Sequence, residues 1–440
     1  MARKMKDSGI EWIGEIPEGW EIHRMKSCIS QRDGGAWGDE ATGETGDCIC
    51  LRIADFDYEH FRFIDSNNLT IRHYASPIIR KLLLQKNDIL IEKSGGGEKT
   101  PVGRTVLFDK EYPALFANFM DRLRCSDFIL PQYLQYVFVT FYKNRYTQNY
   151  IKQTTGIQNL DLSSMLADEF VPVPNLNEQK LIVCYLESKC SKIDNLLSKT
   201  RSSIEEYKKL KQAVITQAVT KGVRGEREMK DSGVEWIGAI PKDWEIKRLK
   251  SFCTIVDCKN RTPDVFPDGK YTVVRTTCIK DCSFSYEGSY QTDTTNFKAW
   301  TLKGQPHKGD IFFTREAPVG EACLVPNADN LCMGQRVMFF RPEDNSDARY
   351  IMYSIYGPLV REYIASKNSG STVGHLKLGQ VACIPIFYCP PLEQKEIADY
   401  LDAKCAEIDR LIAKKEQLAK ELESYKKSLI YEVVTGKREV

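Results

Sequence analysis

Two long stretches of the chain carry apolar side chains at alternating spacings of three and four. In the first, Cys190, Ile193, Leu197, Ile204, Tyr207, Val214 and Ala218 form such a stripe, with no proline or glycine from Glu178 until Gly222. This is a heptad seam, interrupted by Thr200 and Lys211. Adding 215 to each position gives Cys405, Ile408, Ile412, Ala419, Leu422, Leu429 and Val433, so the seam recurs. Each stretch predicts a helix of about 40 residues, or ~60 Å at 1.5 Å per residue. A helix of that length with a narrow apolar stripe needs another helix to cover it, and the nearest one available is its own duplicate. The pattern therefore predicts an intramolecular antiparallel coiled coil. Prolines bound the lead-ins, at Pro172 and Pro174 before the first helix and at Pro390 and Pro391 before the second. Thr220-Lys221-Gly222 and Thr435-Gly436-Lys437 supply glycine and cation stop signals.

The rest, roughly 15 to 172 and 239 to 388, alternates in short runs broken by turns. Asp88 to Glu92 matches Asp310 to Thr314, and Thr105 to Phe108 matches Ala322 to Val325. The runs after Pro131 and Arg349 have mixed periodicity compatible with helix. The expected class is α+β: two globular domains separated by two long antiparallel coiled-coil helices, in an internal pseudo-two-fold repeat.

Direct identity supports the duplication. Met5 to Ser27 and Met229 to Ser251 agree at 17 of 23 positions at an offset of 224, and Glu178 to Asp194 recurs as Glu393 to Asp409 at an offset of 215. A period this long implies domain-sized copies, since solenoid repeats run ~20 to 50 residues. The predicted parts are residues 1–173 and 223–388 as globular domains, with 174–222 and 389–440 as helices. The globules differ where the flanking blocks hardly do. Constant framework with divergent surfaces suggests a target with two unlike parts.

Composition narrows the partners. Lys+Arg 62 against Asp+Glu 60 leaves +2, and residues 1 to 172 hold 21 basic against 24 acidic side chains, so no bulk positive field marks a nucleic-acid binder. Cations must then be arranged on one face, or a partner must supply some. No stretch reaches the ~18 uninterrupted apolar residues of a membrane span. The first residues lack the apolar core of a secretory signal, which makes the cytoplasm the expected compartment and the 15 cysteines reduced thiols.

Catalytic motifs are missing. Ser94 to Thr100 superficially resembles a phosphate-binding loop, but Glu98 and Lys93 stand where glycines are required. Cys253, Cys258, Cys278 and Cys282 lack knuckle spacing, which favours separate thiols over zinc. The glycine-rich turn with Lys93, Gly96, Lys99 and Arg104 suits a loop laid against a sugar-phosphate backbone. Pro101-Val102-Gly103-Arg104 matches Pro318-Val319-Gly320-Glu321, and Asn118-Phe119 matches Gly334-Gln335. Asn and Gln can read adenine, and Arg and Lys guanine, in the major groove. The DNA-facing candidates are Arg32, Lys93, Gly96, Lys99, Arg104, Arg122, Gln158 and Asn159 in the first copy. In the second they are Lys259, Asn260, Arg261, Arg275, Arg315, Gln335 and Arg336.

The repeated SGIEWIGEIPEGWEIHRMK and SGVEWIGAIPKDWEIKRLK, with REAPVGEACLVP, MGQRVMFFRP, TGIQNLDL, PNLNEQKLIVCYL, PPLEQKEIADYL and SLIYEVVTGK, resemble the specificity subunit of type I restriction-modification systems. The resemblance covers essentially the whole chain. It implies two target-recognition domains, each reading half of a split DNA sequence, and no active site in this chain. It also implies that the long helices fix the gap and dock two methyltransferase subunits through Cys190, Ile193, Leu197, Ile204, Tyr207, Val214, Cys405, Ile408, Ile412, Leu422 and Leu429. Restriction subunits would join through the complex. S-adenosylmethionine, ATP and Mg are then expected on partner subunits only, with double-stranded DNA as target and no membrane contact. The competing class is a non-catalytic scaffold with two adaptor domains on a coiled coil.

Overall fold

A computed structural model describes residues 3–66, 68–154, 156–368 and 374–440. The chain forms two compact units, Met1–Arg201 with Gln417–Val440, and Ser202–Glu416. Each contains one globular α+β domain and parts of both long helices, Leu176–Lys221 and Pro391–Val434.

In the first unit a six-stranded sheet runs in the order Ile29–Gly34, Met120–Cys125, Ile89–Glu92, Thr105–Leu107, Arg62–Phe63, Phe56–Asp57. Its middle strand shows why Ile89, Leu90 and Ile91 are apolar without alternation. Ile89 and Ile91 enter the core shared with the helices, while Leu90 enters a second core with Val106 and Phe116 on the other face. Strand side chains alternate faces, so a strand buried on both sides shows no polar alternation. The second unit repeats the device. Ile311 and Phe313 face the helix-side core and Phe312 the opposite one, in a sheet ordered Cys253–Val256, Val337–Pro342, Ile311–Arg315, Val319–Leu324.

The expected antiparallel helix pairing is present within each unit. Lys426 bonds Asp194 at 2.7 Å and Arg201 bonds Glu423 at 2.8 Å in the first, so one helix descends as the other rises. Lys211 bonds Asp409 at 2.7 Å in the second, and Arg224 bonds Glu396 at 2.7 Å. Cys190, Ile193, Leu197, Ile204, Cys405, Ile408 and Leu429 are buried, whereas Tyr207, Val214, Ile412 and Leu422 are half-buried. The two polar interruptions fit this packing. Thr200 is itself buried, and Lys211 is the residue paired with Asp409.

Two expectations change. The helices are not separate spacer domains, because each compact unit takes part of both, and their seams merge with the globular cores. For the same reason the buried seam residues are not a free docking surface. Cys190, Ile193, Leu197 and Leu429 lie in the first unit's core and Cys405 in the second's.

The repeated blocks are the parts that close each unit. The 5–27 block lies against the end of the second long helix, where a Cβ on Gly436 would come within 2.4 Å of Pro17 Cδ, and the Tyr431 hydroxyl donates to the Trp12 carbonyl at 3.2 Å. The 229–251 block lies against the end of the first, where Lys221 Nζ donates to the Ile237 carbonyl at 2.9 Å and to that of Ala239. Gly222 and Gly436 both have positive φ, 74° and 72°, which ends each helix in a left-handed turn that favours glycine.

The repeated Glu-Gln pair has an equally structural task. Gln179 accepts from the Leu130 N–H at 2.7 Å and donates to the carbonyls of Phe128 and Pro174 at 3.0 and 2.8 Å. Gln394 likewise accepts from the Asp347 N–H at 3.0 Å and donates to the Cys389 carbonyl at 2.9 Å. Glu178 pairs with Arg3, whose guanidinium lies over Trp20 at 5.4 Å; Glu393 pairs with Arg227, which lies over Trp244 at 5.3 Å.

Candidate nucleic-acid interface

In the first unit most of the predicted residues collect where the strand Ile89–Glu92 runs into the Ser94–Gly95 segment. Ser94 and Gly95 pair with Asn159 and Gln158 in a small separate sheet, and the Lys93 N–H donates to the Phe119 carbonyl at 2.9 Å. Arg32 and Lys93 converge on Asp121, at 2.6 and 2.7 Å, so two cations share one buried carboxylate. Asn159 Oδ1 accepts from the Ser94 hydroxyl at 2.7 Å and stays exposed, as does Lys99. Gln158 is buried and accepts from the Val102 N–H at 3.3 Å. At Gly96, φ is +54° and a Cβ would stand 2.8 Å from the Val102 nitrogen, so the turn requires glycine.

Two of the predicted residues have other work. Arg104 is bidentate on Glu92, at 2.7 and 3.0 Å, and its guanidinium lies 3.7 Å from the centre of the Tyr58 ring. Burial pushes the Glu92 carboxyl up despite the pull of Arg104, which places this pair in the wall of the domain. Arg122 is not DNA-facing at all. It is fully buried, paired with Asp33 at 2.5 Å and donating to the Leu83 carbonyl at 2.9 Å. A guanidinium so enclosed neutralises a buried carboxylate and cannot reach a base edge.

In the second unit the cluster is tighter. Arg315 Nη1 donates to both carboxylate oxygens of Asp257, at 3.1 and 3.2 Å, and Nη2 to Asn260 Oδ1 at 2.9 Å, while Gln335 donates to the Asn260 carbonyl at 3.2 Å. Lys259 and Arg261 both cover Trp300, at 4.6 and 5.3 Å from the ring centre. Arg336 and His375 share Glu316, each at 3.3 Å. Arg275 is exposed and donates weakly to the Gly288 carbonyl at 3.4 Å.

The backbone also corrects the matching of the two copies. Lys93 bonds the Phe119 carbonyl as Arg315 bonds that of Arg336, at 2.9 and 3.1 Å. Phe119 therefore corresponds to Arg336, one position beyond the Gln335 that sequence matching gave it. Exposed apolar residues at these ends were missed: Phe119, Trp37 and Ile157 in the first unit, Val265 and Phe266 in the second. The usable signal was an aromatic or branched apolar residue inside a polar turn, which composition alone does not separate from core.

The four cysteines considered for zinc do not form a group. Cys253 belongs to the helix-side core and Cys258 and Cys278 to the other, and burial raises all four thiols above their ordinary pKa. Among the described residues no three His, Cys, Asp or Glu side chains come together as a metal site, and no helix is long and apolar enough to cross a membrane.

A family model, the type I restriction modification DNA specificity domain, matches residues 57–206 and 241–423. The chain belongs to that family. Among specificity subunits it is 25% identical over 430 residues to the putative type I restriction enzyme MjaX specificity subunit of Methanocaldococcus jannaschii, covering 97% of this chain and 95% of that one. It is also 25% identical over 373 residues to the MjaVIII specificity subunit of the same organism, covering 81% and 80%. The fold matches a solved chain from work on complex assembly and conformational transition of the type I R-M system, with TM-score 0.70, 15% identity and coverage of 96% and 99%. Both segments matched by the family model run from a globular domain into a long helix, so specificity domain and structural repeat coincide.

Proposed function

We propose that this specificity subunit reads an asymmetric, bipartite DNA sequence, one half with each globular domain, and is itself non-catalytic. The carrying observation is that equivalent positions on one framework hold unlike side chains. Phe119 corresponds to Arg336, and Arg32 corresponds to Ile255 through their shared strand partners, Leu123 and Phe340. An aromatic side chain suits a thymine methyl or a base step where an arginine suits guanine, so the two ends favour different bases. Lys99, Asn159, Lys259, Arg261 and Arg275 are the predicted residues with the least internal commitment.

Docking of the two methyltransferase subunits falls to the outer faces of the long helices. Leu181, Leu196, Leu418 and Tyr425 are exposed there in the first unit, and Leu210, Leu392 and Tyr400 in the second. The S-adenosylmethionine, ATP and Mg consumed in the reactions then belong to partner subunits, and the complex works on DNA in the cytoplasm.

Genome-wide mapping of methylated adenine in cells carrying the complete system tests this reading. The expected result is a split motif with a fixed gap and two different halves; a continuous motif, or none that depends on this chain, would sink it.

A further inference from the structure

The first unit contains a cavity of about 510 Å³ between its globular domain and both long helices, continuous in its lining with a second of about 330 Å³ through Tyr58, Phe61, Val139 and Lys143. The larger one falls in the usual range for small-molecule sites, ~300 to 1,000 Å³. Its lining joins the apolar side chains of Phe61, Val139, Leu197 and Ile430 to five cations.

Those cations divide into two groups. Arg201 and Lys426 are committed, to Glu59 and Glu423 and to Asp194, at 2.7 to 2.8 Å. Lys143, Lys420 and Lys427 line the same cavity without an ion-pair or hydrogen-bond partner among the described residues. Desolvation first, and then the neighbouring Lys426, hold the Lys143 ammonium below the ordinary lysine pKa. Glu59, Asp194 and Glu423 also line the cleft, but all three are engaged by Arg201 and Lys426, so Lys143 and the exposed Lys420 and Lys427 leave it with unpaired positive charge.

The corresponding junction of the second unit is bridged by a hydrogen bond. Tyr133 and Tyr350 are equivalent, each donating at 2.7 Å to a carbonyl just before a long helix. Counting forward from them, Tyr356 stands where the first unit has Val139; beyond it the second unit's helix breaks at Gly357, where that of the first runs on to Lys143. The Tyr356 hydroxyl accepts from the Cys282 N–H at 3.0 Å, tying helix to hairpin. At the helix repeat offset of 215, Lys420 corresponds to Glu205 and Lys427 to Gln212. Lys420 and Lys427 therefore have no basic counterparts in the second copy.

We propose that this cavity binds a small phosphate-bearing ligand with a flat apolar part, of the nucleoside phosphate class. Lys143, Lys420 and Lys427 hold the phosphates as point charges, and the apolar group lies against Phe61, Val139 and Ile430. The proposal is independent of the bases read at the ends of the sheets.

Calorimetric titration of the full-length chain with ATP as probe tests it, with adenosine, tripolyphosphate and a short DNA duplex as separate arms. ATP should saturate one site and bind more tightly than either of its parts. Lys143→Gln and Lys427→Gln should each weaken it roughly tenfold, the scale of one charge-assisted contact. Val139→Tyr, which copies the second unit, should abolish binding with the melting temperature kept. Absence of saturation by ATP overturns the proposal. So does tripolyphosphate binding as tightly as ATP, or a loss in the lysine variants that appears for the duplex and not for ATP.

Discussion

Arg122 and Asp33 face each other on adjacent strands, and the positions that correspond to them in the second unit, through the same pairing, are Phe339 and Val256. One framework thus accepts either a buried ion pair or two apolar side chains at this point. Removing one member of a buried pair strands the other, at about 3 to 5 kcal/mol, whereas replacing both by apolar groups is often neutral. Arg122→Ala should therefore lower the urea midpoint strongly, while Asp33→Val with Arg122→Phe should return most of the loss. If the double variant is as unstable as the single one, the two units are not interchangeable at this site. The same pair shows where reading the sequence fails. A cation's charge is visible in the chain, but its burial depends on a carboxylate 89 positions away that only strand register brings to it. Glu178 and Gln179 were more legible, because repetition marked them as framework, and the structure gives each a partner that does the same work in both copies.

At the level of elements, the spacing of three and four placed both long helices to within a few residues and identified their buried side. It could not show what covers that side along the length, since helix and globular core are equally apolar partners. The buried and exposed faces of the long helices predict opposite outcomes. Leu197 is buried among the first unit's core residues, and Leu197→Ala should cost about 2 to 5 kcal/mol in unfolding free energy. Leu181 and Leu418 are exposed, so Leu181→Asp with Leu418→Asp should change stability by less than about 0.5 kcal/mol each. The exposed pair should instead abolish co-purification of the methyltransferase subunit. Retained co-purification with that double variant would move the docking surface elsewhere.

Across the whole molecule, the repeat makes the reading domains replaceable parts. Their attachments are alike: Tyr133 and Tyr350 each bind a carbonyl before a long helix, and Gln179 and Gln394 each hold the turn that starts it. The exception is charge at the helix contact. Glu59 of the first domain pairs with Arg201 at 2.7 Å, and the residue corresponding to Arg201 at the 215 offset is Glu416. A second copy of the first domain placed in the second unit would set Glu59 against that glutamate, a like-charge contact that Glu416→Arg removes. A chain with residues 239–388 replaced by 15–172 and carrying Glu416→Arg should assemble with its partners and methylate a sequence containing the first half-site twice. Adenine-methylation mapping reads the outcome directly. Two identical halves locate base selection within the globular domains; an unchanged asymmetric motif from a folded, assembled chain would place it in the framework instead.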